Sequence, residues 1–498
     1  MWELVEELER RAAAEPASVA VVDGSGAHSV ASLLTRADDL ASALDRTAGP
    51  RPTLLVQADN TWRTVVAAIA AGRLGGTLAL LSRHSTGDEF AAAVEDIVPD
   101  AIVCGPERFE AWAVGKHLPG VGGGVLDGWR LAGAPAGGPT DRWGGGIVIG
   151  LTSGSTGRAK GVVQTEASLR YASARTVEAV GLSPGDAVGA LVPLSSAAAI
   201  CFGLYLPLML GGRMVLSDKW EPAGAVRLMA EQDVRWTMCV PTMALQMGAA
   251  APAEGLLHRM RAMTVGGGPM DAGALGRAER RLGTRILRVF GMSECLGHTT
   301  SRPSDAEDVR LATDGVPFPG TELRAVDDRG LPLAAGEVGR AQVRGPSLFA
   351  GYARAGAVRP AELTGDGFFP TGDLLAVNPD GTVSIRGREK DVIIRGGRNL
   401  DVTEIETAVA RHPAVEQVCV VPVPDELLGE RVALLLVTDE ELGLPEIQEH
   451  LTTLGLMKAK WPEFVFRVDA LPTNRVGKLS RADAARIARE LRDGIPTP

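Results

Sequence analysis

A short loop at residues 152–161 concentrates residue types that bind polyanions. It contains hydroxyl side chains, glycines and one lysine, and it lies between two apolar runs that predict strands. Backbone N–H groups, hydroxyl donors and an ammonium can surround one anionic group, and glycine lets the backbone approach it closely. The pattern is not a Walker loop, because Lys160 follows an alanine and precedes a glycine. We expect a triphosphate here; the alternative, a flexible Ser/Gly linker, is disfavoured by the flanking strands.

Four further clusters follow this loop, and each contains glycine. Their sequences are Val-Gly-Gly-Gly-Pro-Met at 265–270, Val-Phe-Gly-Met-Ser-Glu at 289–294, Phe-Pro-Thr-Gly-Asp-Leu at 369–374 with Ile-Arg-Gly-Arg-Glu-Lys-Asp close behind at 385–391, and Pro-Thr-Asn-Arg-Val-Gly-Lys-Leu-Ser-Arg at 472–481. Glu294 follows a predicted strand and a glycine turn, which favours a carboxylate at the carboxyl edge of a sheet, where ligands bind. The order of the clusters is more informative than any one of them.

The length and composition limit the possible classes of protein. At 498 residues the chain is too long for one ordinary core, so we expect two or more domains. The apolar fraction of 45% and the charged fraction of 22% are typical of a soluble globular protein. A formal net charge of −10 without a basic tract argues against a nucleic-acid partner.

The cysteines and the N-terminal segment indicate a compartment. The 5 cysteines are scattered without metal-ligand spacing, so we expect buried free thiols in a reducing cytoplasm. Residues 1–11 predict an acidic amphipathic helix rather than a signal peptide. No stretch approaches the roughly 18 uninterrupted apolar residues that suggest a membrane span. We therefore expect a cytoplasmic protein without a membrane partner.

The alternation of apolar runs and helical patterns predicts the architecture. Around the loop, short apolar runs alternate with helices, which indicates largely parallel sheets covered by helices. From about residue 320 the runs alternate between turn sequences, which predicts antiparallel strands and a small barrel-like subdomain. From about residue 391 the pattern predicts one small α+β domain. The expected fold class is therefore α/β, with a large N-terminal and a small C-terminal domain.

Together, the clusters resemble the motifs of the adenylate-forming superfamily, which includes acyl- and aryl-CoA synthetases, amino-acid adenylation domains and luciferases. The resemblance covers essentially the whole chain, and the combined motifs are very specific. It implies that a carboxylate attacks the α-phosphate of ATP to give an acyl-adenylate and pyrophosphate. A nucleophile, usually the thiol of coenzyme A, then displaces AMP. The implied co-substrates and metal are ATP, coenzyme A and Mg²⁺, and the implied substrate is a small-molecule carboxylic acid.

The resemblance also assigns roles to single residues. Lys478 would be the catalytic residue, because an ammonium stabilises the charge that builds where the α-phosphate meets the carboxylate. Glu294 would coordinate Mg²⁺, and Asp373 would accept hydrogen bonds from both ribose hydroxyls. The residues holding the β- and γ-phosphates would be Thr152, Ser153, Gly154, Ser155, Thr156, Gly157 and Lys160. The other nucleotide-binding residues would be Gly267, Gly268, Phe290, Gly291, Met292, Ser293 and Arg388.

A domain rotation between the two half-reactions is a further implication of the resemblance. Lys390 lies where the family hinges its C-terminal domain. The domains would be residues 1–388, with the β-rich subdomain at about 320–388, and residues 389–498 as a mobile lid. Rotation would withdraw Lys478 and bring Gly396 and Gly397 towards the adenylate for the thioester step.

The segment that would face the acid departs from the family pattern. Family members often carry an aromatic residue and a histidine where residues 193–199 are proline, leucine, serine and alanine. No aspartate that could pair an α-ammonium occurs at 193–212, so we do not expect a free amino acid as substrate. We expect a roomy pocket for a bulky apolar, alicyclic, aryl or medium-chain acid, and close helix packing is an equal alternative. The predicted lining is Ala197, Ala198, Ala199, Gly266, Cys295 and Leu296.

The sequence leaves the second nucleophile open. An acid–CoA ligase is the first hypothesis, and a ligase that forms an amide with an amine or loads a carrier protein would use the same adenylate. A third hypothesis is a catalytically silent binding protein of the same fold, which the intact Lys478, Glu294 and Asp373 disfavour. The oligomeric state stays open between a monomer and a homodimer.

Overall fold

The structure is a computed structural model that describes residues 1–134, 141–152, 159–268, 270–389, 391–396, 398–474 and 477–494. It confirms the predicted α/β class, with a large N-terminal and a small C-terminal domain. The exact domain boundary stays a prediction, and the expected hinge residue Lys390 lies outside the described residues.

The helices alternate with strands along most of the chain. The α-helices are α1 (Trp2–Ala14), α2 (Val30–Ala48), α3 (Trp62–Arg73), α4 (Gly87–Ile97), α5 (Pro106–Ala111), α6 (Val114–His117), α7 (Glu166–Val180), α8 (Ala197–Ala199), α9 (Leu206–Met209), α10 (Pro222–Glu231), α11 (Pro241–Ala250), α12 (Ala272–Leu282), α13 (Glu307–Ala312), α14 (Val402–Ala410), α15 (Leu444–Thr453) and α16 (Arg481–Asp493). A π-helix spans Ile200–Tyr205, and a 3₁₀-helix spans Lys458–Lys460. Within the described ranges, no helix is both long and apolar enough to cross a lipid bilayer.

The strands form two large sheets and three smaller ones. They are β1 (Val19–Asp23), β2 (Gly26–Ser29), β3 (Thr53–Ala58), β4 (Thr77–Ser82), β5 (Ala101–Cys104), β6 (Val121–Val125), β7 (Trp129–Gly133), β8 (Gly146–Thr152), β9 (Lys160–Thr165), β10 (Ala187–Ala190), β11 (Met214–Leu216), β12 (Val234–Cys239), β13 (Ala262–Gly266), β14 (Ile286–Val289), β15 (Thr299–Thr300), β16 (Val316–Pro317), β17 (Glu322–Val326), β18 (Val338–Arg344), β19 (Gly351–Arg354), β20 (Ala357–Arg359), β21 (Phe369–Val377), β22 (Val383–Arg388), β23 (Val392–Arg395), β24 (Arg398–Asp401), β25 (Gln417–Asp425), β26 (Gly429–Val437) and β27 (Phe464–Arg467).

The nine-stranded sheet carries the phosphate-binding loop predicted from the sequence. Its order is β20-β19-β9-β8-β4-β3-β5-β7-β6, and the central strands β8, β4, β3 and β5 are parallel. Every residue of β3 is buried, as expected for a central strand that is covered on both faces. Because β8 ends at Thr152 and β9 begins at Lys160, the sheet fixes both ends of the loop.

The seven-stranded sheet carries two of the other clusters. Its order is β14-β13-β12-β10-β11-β1-β2, and all but the β1–β2 pairing are parallel. Strands β13 and β14 end at Gly266 and Val289, which are paired in register. The glycine run and the Glu294 turn therefore leave the sheet at the same edge, where ligands bind in α/β proteins.

Helix α3 lies between the two large sheets and joins them. It contacts β3 and β4 of one sheet and β1 of the other, and its buried residues are mostly alanine and valine. Thr61 caps the helix by accepting a hydrogen bond from the Arg63 N–H at 3.3 Å. Small side chains let a helix and two sheets pack closely, which explains much of the alanine-rich composition.

The alanine-rich segment, residues 197–209, forms an irregular helix. Helix α8, the π-helix and α9 follow one another without a break, and the Leu206 N–H donates to the carbonyl of Cys201, five residues earlier. Pro207 has no N–H for the carbonyl of Gly203, so the α-helical ladder is interrupted at this point.

Within the predicted β-rich region, strands β17-β18-β21-β22 form an open four-stranded antiparallel sheet rather than a barrel. Strands β19 and β20 of the same region join the edge of the nine-stranded sheet instead. Asp314 attaches the four-stranded sheet to the seven-stranded sheet. The Asp314 carboxylate accepts hydrogen bonds from Arg288 Nη2 of β14 at 3.0 Å and from the Ile385 N–H of β22 at 2.9 Å. This attachment fixes β21 and β22, which carry Asp373 and Arg388, relative to the Glu294 turn.

The C-terminal sheet has the order β24-β23-β26-β25, with β27 parallel to β26. Arg481 at the start of α16 ties this domain together. Its guanidinium donates to Glu406 Oε1 of α14 at 2.6 Å and to the Val420 carbonyl of β25 at 3.1 Å. The segment that ends in Lys478 therefore leads into a helix anchored on both α14 and the sheet.

A buried ion pair in the N-terminal domain gives a stability prediction. Arg310 is 1% exposed, its Nη2 donates to Glu279 Oε1 at 2.9 Å, and the Ile286 N–H donates to Glu279 Oε2 at 2.7 Å. Glu279→Gln leaves the buried guanidinium without its counter-charge, so the free energy of unfolding falls by about 3–5 kcal/mol. Urea unfolding followed by tryptophan fluorescence measures the loss. The control, Glu490→Gln, breaks the exposed Arg486–Glu490 pair of α16 and leaves the midpoint unchanged. Equal midpoints for both variants would contradict the prediction.

Candidate active site

The turn that carries Glu294 is fixed by backbone hydrogen bonds. Met292 and Cys295 are paired across the turn, and Gln164 Nε2 of β9 donates to the Ser293 carbonyl at 2.6 Å. The Phe349 N–H donates to the Glu294 carbonyl at 2.8 Å. The turn is thereby bound to the nine-stranded sheet and to the segment before β19. Sequence reasoning identified Glu294 and missed Gln164, because a buried glutamine inside a strand carries no motif.

Tyr352 connects the Glu294 side chain with the phosphate loop. Its hydroxyl donates to Glu294 Oε1 at 2.9 Å, and Lys160 Nζ lies 5.2 Å from the centroid of its ring. At the other end of the loop, Thr152 Oγ1 donates to the Lys160 carbonyl at 3.3 Å. Two predicted site residues, Glu294 and Lys160, therefore contact a tyrosine that sequence reasoning did not select.

Asp373 and Arg388 are register partners on the antiparallel strands β21 and β22. Arg388 Nε lies 3.2 Å from Asp373 Oδ1, and Asp373 is 8% exposed whereas Arg388 is 65% exposed. Burial raises the pKa of the Asp373 carboxyl, while the charge of Arg388 and a hydrogen bond with Thr371 oppose that rise. The pair thus presents a largely desolvated carboxylate and a solvent-facing guanidinium.

Lys478 reaches from the C-terminal domain to the glycine run after β13. Gly267 has a φ of +85°, and a Cβ at this position would lie 2.7 Å from Lys478 Nζ. Any side chain at residue 267 would therefore collide with the ammonium in addition to straining the backbone. Thr242 Oγ1 at the start of α11 donates to the Gly477 carbonyl at 2.8 Å. The two domains are thus in contact around the predicted catalytic residue.

The charges around Lys478 show that the predicted residues converge. The side chain keeps contact with solvent in the cleft, but the surrounding protein removes part of its hydration. This desolvation lowers the pKa of the Lys478 ammonium, the charge of Arg388 adds to the lowering, and the carboxylates of Glu294 and Asp373 oppose it. Four charged residues from three separate clusters therefore act on one another in one cleft.

Phe290 follows β14 and packs against the antiparallel sheet. The ring centroid of the fully buried His298 lies 4.7 Å from that of Phe290. Desolvation lowers the pKa of His298 to about 3, so its ring is neutral at working pH. A Cβ at Gly291 would lie 3.2 Å from the Gly297 nitrogen, so the absence of a side chain here eases the close approach of two backbone segments.

Seven predicted site residues fall outside the residues that the structure describes. They are Ser153, Gly154, Ser155, Thr156, Gly157, Lys390 and Gly397. Of the predicted thioester-step pair, Gly396 is described: its N–H donates to the Leu428 carbonyl at 2.8 Å, which places it beside the turn between β25 and β26. Its role stays a prediction.

The predicted acyl pocket is only partly supported. Ala197, Ala199, Cys295 and Leu296 are at most 2% exposed, so these four side chains line no open pocket in this structure. Ala197 packs on the backbone of Gly150, where a Cβ would lie 2.7 Å from its methyl group, and Cys295 packs in the cluster of Val162, Val343, Phe349 and Phe369. Close packing of the helical segment, the alternative left open by the sequence, accounts for Ala197, whereas Cys295 is buried among strands of two sheets. Ala198 and Gly266 keep accessible surface and stay candidates.

Asn60 is a further residue that sequence reasoning missed. Its Nδ2 donates to the carbonyls of Ala190 and Val192 at 3.1 and 3.2 Å, and its Oδ1 accepts from the Leu194 N–H at 2.9 Å. These hydrogen bonds fix the path of the chain from β10 into the alanine-rich segment. Nothing in the local sequence around Asn60 shows this, because its partners lie more than a hundred positions away.

Comparisons with known proteins agree with this geometry. The sequence model described as "AMP-binding enzyme" matches residues 8–353, and the one described as "AMP-binding enzyme C-terminal domain" matches residues 404–478. A salicylyl-CoA synthase / salicylate adenylyltransferase of Streptomyces sp is 32% identical over 96% of this chain and 92% of its own length. A 2,3-dihydroxybenzoate-AMP ligase of Bacillus subtilis (strain 168) is 32% identical over 95% of this chain and 91% of its own.

A solved structure has the same architecture. The ATP-bound crystal structure of MatB from Rhodopseudomonas palustris aligns with a TM-score of 0.84 at 26% identity, over 98% of this chain and 99% of that one. The chain therefore belongs to the AMP-binding enzyme family, the adenylate-forming ligases. The resemblance inferred from the motifs is confirmed.

The contact between Thr242 and Gly477 gives a prediction about domain closure. Thr242→Val removes a hydrogen bond that contributes about 0.5–1.5 kcal/mol, so the Lys478 loop leaves the cleft about two to ten times more often. Trypsin can cut after Lys478 only when the loop is withdrawn, so the initial rate of this cut, followed by mass spectrometry, rises by the same factor. The matched control is Thr407→Val, which removes a hydroxyl-to-carbonyl hydrogen bond within α14. A rate equal to that of the wild type would show that the contact does not hold the domains together.

Proposed function

We propose that this protein activates an aryl carboxylic acid as its acyl-adenylate with ATP, releases pyrophosphate, and transfers the acyl group to coenzyme A. The observation that carries the proposal is the position of Lys478. A C-terminal lysine lies against the glycine run of the N-terminal domain, within electrostatic reach of Glu294, Asp373 and Arg388. A silent binding protein has no need to bring a partly desolvated ammonium into this cleft.

In the adenylation step, a substrate carboxylate oxygen attacks the α-phosphorus and pyrophosphate leaves. Negative charge accumulates on the α-phosphoryl oxygens where the two anions meet. Lys478 is positioned to stabilise that charge, and desolvation strengthens its effect because fewer water dipoles screen the ammonium. Gly267 makes this approach possible, because the end of the Lys478 side chain occupies the space that a Cβ at residue 267 would fill.

The phosphate end of the nucleotide would be held by Thr152 and Lys160 at the two ends of the loop, together with loop residues 153–157. Glu294 suits Mg²⁺ because the ion takes one or two carboxylates and completes its shell with phosphate oxygens and water. In the described part of the chain, no cluster of three or more acidic, histidine or cysteine side chains forms a complete metal cage. When bound, Mg²⁺ would neutralise charge on the departing pyrophosphate.

The ribose would be bound by Asp373. A carboxylate accepts two hydroxyl hydrogen bonds, and the Arg388 charge opposes the rise in the pKa of Asp373 that burial causes. Phe290 to Ser293 and the backbone of Gly267 and Gly268 would complete the nucleotide site. Residues of four sequence clusters would thus contact one molecule.

Two observations support an aryl acid. The relatives named above act on salicylate and on 2,3-dihydroxybenzoate. Within residues 193–212 no acidic side chain is present to pair the ammonium of an amino acid. Ala198 and Gly266, which keep accessible surface, are the two residues that we propose for the acid pocket.

Coenzyme A is the nucleophile that we propose, and carrier-protein loading is the second candidate. One relative is named a CoA synthase and adenylyltransferase, whereas another is named an AMP ligase, so relatives of equal identity differ on this point. Rotation about Lys390 would withdraw Lys478 and present Gly396 and Gly397 to the adenylate. Both nucleophiles would use that second arrangement.

Variants of Lys478 test the catalytic assignment. Lys478→Ala lowers the rate of acid-dependent pyrophosphate exchange by roughly a hundred- to a thousandfold, because the transition-state charge loses its cation. The exchange rate of the wild type falls as the pH rises through the lowered pKa of Lys478, and Lys478→Arg abolishes this alkaline fall because a guanidinium stays protonated. Lys116→Ala, at an exposed lysine of α6, is the control with unchanged kinetics. An unchanged pyrophosphate-exchange rate in Lys478→Ala would refute the assignment of Lys478 as the catalytic residue.

A panel of acids and nucleophiles tests the substrate class. Benzoate, salicylate, 2,3-dihydroxybenzoate, cyclohexanecarboxylate, octanoate and phenylalanine are compared by pyrophosphate release. Aryl acids exceed phenylalanine in kcat/KM by about a hundredfold or more, because its ammonium would be buried without a counter-charge. The adenylate formed is then mixed with coenzyme A, an amine or a phosphopantetheinyl carrier protein, and the products are weighed. If the carrier protein accepts the acyl group from the adenylate and coenzyme A does not, the protein is a carrier-protein loading enzyme. If no acid gives pyrophosphate release, adenylation is refuted.

A further inference from the structure

Tyr352 lies between the two charged side chains that the proposed site assigns to the triphosphate. Its hydroxyl donates to Glu294 Oε1 at 2.9 Å, and the face of its ring lies below Lys160 Nζ at 5.2 Å. A hydrogen bond to a carboxylate and a cation–π contact are both stronger where water is partly excluded, and Tyr352 is half-buried. One side chain therefore contacts both a cation and an anion of the site.

The strand register explains why one residue reaches both groups. Tyr352 of β19 pairs with Val162 of β9, and Lys160 lies two residues from Val162 on the same face of the sheet. A diagonal cross-strand neighbour is within reach of an aromatic and a long side chain. The Glu294 backbone is held by the same segment, because the Phe349 N–H donates to its carbonyl at 2.8 Å.

The ring itself is held by packing. The Phe349 ring lies edge-on to it, with centroids 4.8 Å apart and planes at 70°, and Phe349 packs in turn on Phe369 at 5.4 Å. Edge-to-face packing of this kind restricts the side-chain rotamers.

We propose that Tyr352 is a positioning residue, which fixes the orientation of the Glu294 carboxylate and the site of the Lys160 ammonium for a magnesium-bound triphosphate. It contacts neither the acid nor the reacting atoms. The inference rests on the proposed function in one respect, namely that this cleft binds ATP.

Equilibrium binding of ATP, measured by calorimetry without any acid, tests the carboxylate contact. Tyr352→Phe keeps the ring and removes the hydroxyl. In buffer with Mg²⁺ its Kd for ATP rises about ten- to a hundredfold, because Glu294 loses the hydrogen bond that orients it. In EDTA the Kd changes by less than about twofold, because without the metal Glu294 contributes little to ATP binding. A purely structural defect would weaken binding equally in both buffers.

Tyr352→Leu tests the second contact. It removes the ring as well as the hydroxyl, so the Kd in EDTA rises about two- to fivefold above that of Tyr352→Phe, the size of an exposed cation–π contact. When Glu294→Gln is already present, adding Tyr352→Phe raises the Kd for ATP in Mg²⁺ buffer by less than about twofold. The second substitution has little further effect because the two residues act as a unit. The matched control is Tyr171→Phe, which removes a hydroxyl that donates to the Pro319 carbonyl at 2.7 Å and leaves both Kd values unchanged.

The outcomes separate the inference from the function on which it rests. Wild-type protein that binds ATP in a Mg²⁺-dependent manner, with Tyr352→Phe indistinguishable from it, overturns the inference and leaves the proposed function in place. Equal weakening of Tyr352→Phe with Mg²⁺ and in EDTA also overturns it, since Tyr352 would then be structural. Wild-type protein that binds ATP in neither buffer overturns both.

Discussion

The site depends on one electrostatic constraint. The Lys478 ammonium lies in a cleft where neighbouring protein atoms replace part of the water that would otherwise hydrate it. Desolvation and the charge of Arg388 both disfavour the Lys478 cation, whereas Glu294 and Asp373 favour it. The carboxylates in turn need cations, and Asp373 has Arg388 at 3.2 Å. Because the lysine belongs to a different domain, the balance of charges is complete only when the C-terminal domain lies against the N-terminal one.

The rest of the structure supplies the geometry that this balance requires. Parallel strands β13 and β14 place the glycine run and the Glu294 turn at one sheet edge, and Asp314 attaches the sheet that carries Asp373. Close packing of small residues around α3 holds the two large sheets at a fixed separation. Glu294, Asp373 and Arg388 are therefore held by strands and turns of the N-terminal domain, and the Lys478 segment of the C-terminal domain is bound to this domain through Thr242.

Neutral side chains organise the Glu294 turn and the chain path that leads into the alanine-rich segment. Gln164, Tyr352 and Asn60 carry no charge, yet they fix the Ser293 carbonyl, the Glu294 carboxylate and the path into the alanine-rich segment. Neutral donors orient a carboxylate without cancelling its charge, so the charge stays available for a cation. The same tight packing explains why Ala197 and Cys295, expected at an acyl pocket, are core residues instead.

The sequence by itself determined the α/β class, the position of the antiparallel subdomain and the charged residues Lys160, Glu294, Asp373, Arg388 and Lys478. The fold class follows from local signals, because apolar periodicity sets strand and helix. The charged residues follow from the resemblance of their motifs to those of the adenylate-forming superfamily. Only the tertiary structure decided which residues hold those charges in place. Tyr352 and Gln164 act through partners more than fifty positions away, and the small residues of the alanine-rich segment fit a pocket and a tight core equally well in sequence. Contacts set by strand register and by packing between sheets are absent from any local pattern, so they become visible only in the folded chain.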